Sequence, residues 1–401
     1  MTMKRCLLVV IALLLVSTLA FTGCTSKTTA PKTLKVGILA DLSGFLSVFY
    51  IEATHDLQLT ADYINEKGGV TIQGQKYNIE LVIRDSKSSP DGALAAANQL
   101  IFQDQVKYAI GPIAFEGAAT TPLFEQNKIL HIFNTTTTSH LEIGPDWPYA
   151  FTGDDSALDF SMVLFKIGKK EFPNAKTCVM ILPDDGTEPY LMPSVTPILQ
   201  SMGYTILNGG KAVLYPNDMQ DFSPVVSKLN SINPDIMFQP EAAPPAVYGI
   251  LGGIRALGNK VVYIPTLFPG DPNNVIAAVG PDAATNFAFL NYTKDDPGYG
   301  PILKELIKRL KPDAPFFTFT LGNCLMVLTN VMEKANSLDV EKIKAKWESL
   351  DTIDSVYGTG KVGGLKTFGR RCSVTWPEPY NMTMNGKAIK NLPWIDPGPT
   401  P

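Results

Sequence analysis

Residues 131–142 read HIFNTTTTSHLE, with four consecutive threonines, Thr135 to Thr138, directly behind an apolar strand-like run. Threonine hydroxyls and the amides around them donate and accept in several directions, which suits a carboxylate or another oxygen-rich group. A hydrogen bond to a charged group contributes about 1.5–3 kcal/mol. Threonine is also a helix cap and turn former, so ligand contact and local capping both stand as readings of the run. Two other loops carry rings beside polar groups: SGFLSVFY holds Phe45, Phe49 and Tyr50, and GPIAFEGAA holds Phe115 and Glu116. Such rings contact ligands or staple a loop to the core. The second half offers acids: Asp154 and Asp155 in GDDS, Asp184, Asp185 and Glu188 beside Tyr190 in PDDGTEPY, and Glu241 in QPEAAPP. None of these three stretches contains Lys or Arg. If they line one gap, a cationic or zwitterionic ligand gains there and a simple anion loses; solvated turn carboxylates are the alternative.

Catalytic patterns are missing. The sequence has no GxSxG, HExxH, CxxC or P-loop, and His55, His131 and His140 are scattered. His140, next to the threonines, has no nucleophile paired with it and shapes the site rather than acting as a base. GTGKVG (358–363) fits GxGxxG, but no clear strand precedes it and no helix or ribose-binding acid follows, so it is not read as a dinucleotide loop. Cys178, Cys324 and Cys372 are too few and too scattered for zinc ligation or a disulfide framework. Neither metal, cofactor nor enzymatic activity is expected. With a net charge of −4 and no basic block, nucleic acid is not an expected partner.

These loops need a scaffold. MTMKR followed by an apolar run reads as a secretory signal. FTGC, ending at Cys24 and followed by a polar stretch, resembles the lipobox of bacterial lipoproteins, with Phe21 where leucine is usual. Cys24 is therefore expected to carry lipid, with a tether holding the domain at a membrane surface. Beyond residue 22 no apolar stretch reaches the ~18 residues of a membrane span. The remaining ~370 residues exceed one typical core, so two domains are expected. The pattern alternates strands and helices. Strands are expected at 34–42, 77–86, 108–112, 130–133, 177–183, 205–215, 235–239 and 261–267. Helices are expected at 50–69, 90–106, 119–128, 156–172, 191–203, 222–233 and 246–258, with more between 299 and 350. Such alternation implies parallel βαβ units, and ligands of open parallel sheets sit at the C-terminal ends of the strands. The threonine run lies at one such end.

In order and spacing, VGILADLSG, INEKGGV, IRDSKSSPDGALAAANQLIFQDQVKYAIGP, GYTI and DFSPVVSKLNSINPDIMF resemble the branched-chain amino acid group of ABC transporter solute-binding proteins, across residues 33 to 390. The resemblance implies an α/β molecule of two Rossmann-like doubly wound lobes joined by a three-strand hinge, the type I periplasmic-binding fold. After a signal (1–23) and a tether (24–32), lobe 1 would comprise 33–152 and 292–355. Lobe 2 would comprise 153–291 and 356–392, ahead of a tail at 393–401. It also implies that a small ligand closes the lobes and that the closed monomer docks on permease subunits. In the site it implies, the loop Ala114, Phe115, Glu116, Gly117 and the turn at Thr135 and Thr137 hold a carboxylate. Phe49 or Tyr50 would cover the ligand, and Asp155 or Asp154 would meet an ammonium. Leu267 falls where the family has a second acid, so either Glu241 or Glu188 substitutes or the ligand lacks an α-amino group. Thr187 falls at the family's lobe-2 tyrosine, with Tyr190 close by. Aromatic and aliphatic acids thus stand beside leucine-like amino acids, and a ligand-sensing module and an exported enzyme stand as other functional classes. Cys24→Ala should abolish incorporation of radiolabelled palmitate into the expressed protein, read by autoradiography.

Overall fold

In the computed structural model the described residues are 30–136, 140–267, 270–311 and 319–401, so the signal segment, Cys24 and Thr137 lie outside them. The first half runs β1 (Lys32–Ala40), α1 (Ser47–Glu66), β2 (Val70–Ile72), β3 (Gln75–Asp85), α2 (Pro90–Asn98), β4 (Tyr108–Ile110), α3 (Ala114–Gln126), β5 (Leu130–Phe133) and β6 (Ala150–Thr152). The second half runs α4 (Ala157–Glu171), β7 (Thr177–Pro183), α5 (Glu188–Ser201), β8 (Thr205–Ile206), β9 (Val213–Tyr215), α6 (Ser223–Ile232), β10 (Ile236–Gln239), α7 (Pro244–Ala256), β11 (Val262–Pro265), α8 (Pro272–Val279) and β12 (Phe287–Leu290). There follow α9 (Pro301–Arg309), α10 (Thr320–Ala335), α11 (Val340–Ser349), β13 (Thr352–Ser355), β14 (Gly358–Gly363), α12 (Leu365–Phe368), β15 (Ser373–Thr375), β16 (Tyr380–Met384) and β17 (Lys387–Ile389).

Strands β5, β10 and β12 are buried along their whole length, as strands are when helices cover both faces of a parallel sheet. The first sheet has the order β2-β3-β1-β4-β5-β6, parallel except for the β2–β3 hairpin. The second has the order β17-β16-β12-β11-β10-β7-β8, with β9 also on β7 and with β16 and β17 antiparallel. The expected doubly wound α/β pair is therefore present. Helix starts follow their caps. Ser89 accepts from Gly92 N at 3.2 Å, Asp339 accepts from Lys342 N at 3.0 Å, and Ser156 with Asp159 closes a capping box ahead of α4.

Several boundaries differ from expectation. The strand expected at 205–215 is two pieces, because Asn208, Gly209 and Gly210 turn through positive φ; both pieces still pair with β7. The helix expected over 90–106 leaves α geometry after Asn98 and closes as a π-helical turn at Gln99–Gln103. Helix α3 starts at Ala114 rather than 119 and carries Pro122 inside, which places Glu116 in its first turn. Residues 356–376, expected in lobe 2, contribute Val356, Tyr357, Val362, Phe368, Cys372, Val374 and Trp376 to the apolar cluster of lobe 1. The cause is pairing: β13, β14 and β15 form one antiparallel sheet, and Cys372 O accepts from Thr152 N at the end of β6 at 2.9 Å. GTGKVG is strand β14.

Lobe 2 divides its core between the two faces of its sheet. In lobe 1 the fully buried Trp347 lies against Phe151 with ring centroids 4.6 Å apart. Trp347→Ala should lower the unfolding free energy by about 3–5 kcal/mol, measured by urea denaturation followed by circular dichroism.

Candidate functional site

A parallel sheet opens a crevice where neighbouring strands send their chains to opposite sides. In the first sheet that point lies between β1 and β4, and in the second between β7 and β10. Asp41 follows β1 and Glu116 opens α3 after β4; Asp185 follows β7 and Glu241 follows β10. Four carboxyls from two lobes thus occupy equivalent topological positions.

Gly111 makes the turn after β4. Its φ is +82°, and a Cβ there would lie 2.3 Å from Leu39 O, so only glycine fits. Gly117 is constrained by packing, since a Cβ would lie 2.8 Å from Phe133 Cε1 and 2.9 Å from Glu142 Cγ. The backbone of α3 therefore sits tight against the loop after β5.

On the lobe-1 wall, Asp41 Oδ1 accepts from Ser86 Oγ at 2.9 Å. Among the described residues, no donor closes a hydrogen bond of good geometry on Asp41 Oδ2 or on either Glu116 oxygen, although Ser88 lies near Asp41 and Ser86 and Ser89 lie near Glu116. Two ionised carboxylates cannot bond each other, whereas a shared proton lets them. Burial, and then the charge of Asp41, pushes Glu116 up to about 9. Burial also raises Asp41. Tyr50 is buried beside them, and its hydroxyl accepts from Asn134 Nδ2 at 2.7 Å. It is part of the wall rather than a cover. Phe49 is half-buried against the lobe-1 core, while Phe45, 58% exposed, stacks on Phe115 at 5.9 Å.

The threonine run divides by role. Thr135 donates to Asp155 O at 3.0 Å, and Thr136 O accepts from Ala157 N at 3.0 Å. The Thr136 hydroxyl is buried without a partner. Asp154 and Asp155 lie fully buried where the chain first crosses between lobes, and Asp154 Oδ1 accepts from Asp155 N at 2.9 Å. Asp155 faces Glu378 of the third crossing; burial raises both, and the charge of Asp155 raises Glu378 further.

On the lobe-2 wall, Asp185 Oδ1 accepts from Thr187 N at 3.0 Å. Burial, then the charges of Asp185 and of Glu142 from the loop after β5, raises Glu241 well above the carboxylate range. Glu241 Oε2 is buried without a donor, and the buried Thr187 hydroxyl lies alongside without closing a hydrogen bond of good geometry. Tyr190 meets His140 of lobe 1 edge-on, ring centroids 5.0 Å apart, so the two walls touch at the rim.

Other residues lie elsewhere. Leu267 is fully buried in the lobe-2 core, its N–H bonded to Leu290 O, and does not reach the cleft. Glu188 turns away and accepts from Ala212 N at 3.2 Å. His131 is a core ring between Phe124 and Phe133, and burial lowers it to about 3. Cys178, Cys324 and Cys372 are free and buried. No group of three or more His, Cys, Asp or Glu among the described residues could hold a metal ion.

Sequence reasoning missed Asp41, Asn134 and Glu142 as site residues, and it held Thr136 within the threonine run without separating it from its neighbours. Asp41 and Asn134 each stand immediately after or one residue beyond a strand at a sheet's C-terminal edge, which was the available signal.

Residues 33–372 match the family model described as periplasmic binding protein. Over 345 residues the chain is 26% identical to the Leu/Ile/Val-binding protein BraC3 of Rhizobium johnstonii, covering 82% of this chain and 88% of that one. The leucine-binding protein LivK of Thermotoga maritima has a similar structure, with TM-score 0.69, 21% identity, and coverage of 91% of this chain and 99% of that one. So has an ABC transporter solute-binding protein of Rhodopseudomonas palustris HaA2 in complex with p-hydroxybenzoic acid, with TM-score 0.71, 19% identity, and coverage of 92% and 98%.

Glu116, and also Asp56, which burial first and Glu52 second push up to about 8, hold protons in the folded state at pH values where the unfolded chain has lost them. Their stabilisation is complete below the unfolded values of 4.5 and 3.8 and is lost as pH rises through the folded ones. Thermal unfolding of the protein alone should show its midpoint falling between pH 5 and pH 9. Asp56→Asn, outside the cleft, should flatten that decline.

Proposed function

Because this chain belongs to the periplasmic binding protein family, we propose that it is the extracytoplasmic ligand-capturing component of an ABC importer. Held at the membrane by lipid on Cys24 and acting as a monomer, it closes two lobes on a small amino acid and presents the closed form to the permease. Closure stabilises the complex because contacts from both walls exist together only in the closed state.

The observation that carries this reading is the pair of facing crevices with complementary chemistry. Lobe 1 offers the Thr136 hydroxyl and the N-terminus of α3, which no side chain caps and whose positive dipole end suits a carboxylate. Lobe 2 offers Glu241 and Asp185, which suit an ammonium. The relatives' names include Leu/Ile/Val-binding and leucine-binding proteins, and other similar structures hold 4-hydroxybenzoate or benzoate. The acids of the lobe-2 wall favour an amine-bearing ligand over a plain aromatic acid, since no Lys or Arg is among the groups governing Asp185 or Glu241.

A thermal-shift screen of amino acids and aromatic acids tests this. The true ligand at ~100 times its dissociation constant should add about 2.7 kcal/mol of stability. Glu241→Gln should weaken that amino acid by about 10–150-fold, the equivalent of about 1.5–3 kcal/mol for a charged hydrogen bond, read by calorimetric titration. Stabilisation by benzoate-like acids and by no amino acid would sink the reading.

A further inference from the structure

The amino-acid reading uses one acidic wall, but the molecule has two. Glu116 is 0% exposed and reaches toward Asp41, Ser86 and Ser89 at the crevice of the first sheet, the topological counterpart of Asp185 and Glu241 in the second. Helix geometry does not demand an acid there: the Glu116 carboxyl caps no amide of α3. No Lys or Arg is among the groups that govern Asp41 or Glu116.

A second observation separates this pair from a self-contained acid cluster. Asn134, 6% exposed, commits its Nδ2 to Tyr50 and leaves Oδ1 without a donor, while Tyr50 itself feels the charge of both Asp41 and Glu116. The lobe-1 crevice thus presents buried acceptors from three separate segments: the end of β1, the start of α3 and the end of β5. Ser86, Ser88 and Ser89 are the donors nearest the two acids, yet none closes a hydrogen bond on Asp41 Oδ2, Glu116 or Asn134 Oδ1. Acceptors that converge with so few donors suit a group made of donors and positive charge, and an ammonium or guanidinium is such a group.

We propose that the solute carries two cationic nitrogens, an amino acid whose side chain ends in an ammonium or guanidinium, with one cation on each crevice pair. The proposal rests on the amino-acid reading and extends it. The α-ammonium docks on Asp185 and Glu241 of lobe 2, and the side-chain cation docks on Glu116 and Asp41 of lobe 1. The carboxylate meets Thr136 and the amides of α3. Each lobe then holds one end of the solute, and neither crevice keeps a negative charge without a counter-cation.

Calorimetric titration of the purified chain with lysine, arginine, leucine, cadaverine and benzoate is the test. Lysine or arginine should bind at least tenfold more tightly than leucine, and Glu116→Gln should narrow that ratio at least tenfold. If Glu116→Gln does not fold by circular dichroism, Asp41→Asn carries the same comparison. Leucine binding as tightly as both basic amino acids overturns the second cation and leaves the amino-acid reading standing. Cadaverine matching lysine keeps both cation sites and overturns the need for a carboxylate. Benzoate binding with every amino acid silent overturns the reading and the proposal together.

Discussion

Glu116 and Asp41 meet where the strands of the first sheet part, and Asp185 and Glu241 meet where those of the second do, with no basic side chain among the groups that govern either pair. Removing a carboxylate from water costs several kcal/mol unless a partner charge or hydrogen bonds compensate. Protons provide that compensation in the protein alone, and in the proposed complex a cation would take their place. The crossing between lobes repeats the theme, with Asp155 against Glu378. Acid chemistry therefore runs from one wall through the hinge to the other.

The strongest buried bases are placed at the far ends of the same sheets. Arg255 donates to the carbonyls of Asn259, Val261, Ala283 and Thr285, beside the starts of β11 and β12. Arg370 donates to the carbonyls of Trp147, Pro148 and Ala150 at the start of β6, and to Glu348. Each guanidinium satisfies backbone acceptors that local structure leaves open, which is the work its fork of donors suits. These two guanidinium groups thus sit where strands begin, whereas the four crevice carboxyls sit where strands end. Neither of these arginines lies at the crevice ends of the strands.

Much of this was legible beforehand where the signal is local. Alternating apolar runs and capped helices gave the two doubly wound halves, and the acid loops at 183–190 and 239–245 stood out by lacking Lys and Arg. What stayed hidden depends on contacts distant in sequence. That Asp41 faces Glu116 follows from β1 lying next to β4, which only the assembled sheet decides. Leu267 fell at a site position through the family resemblance, yet its pairing with Leu290 turns it into the core. Thr135 and Thr136 are chemically alike in sequence and differ only because Asp155 O stands within reach of the first. Residues 356–376 looked like part of lobe 2 until pairing with β13 tied them to lobe 1.

The rim contact has a spectroscopic corollary. Trp147 Nε1 donates to His140 O at 2.8 Å, and the ring of His140 rests on Tyr190 of the opposite lobe. An indole is thus wired to the loop that bridges the two lobes. Trp347 and Trp376, by contrast, are sealed in the core and blind to a movement of the lobes. Were the lobes to part as proposed, the molecule would carry its own unlabelled optical gauge of that movement.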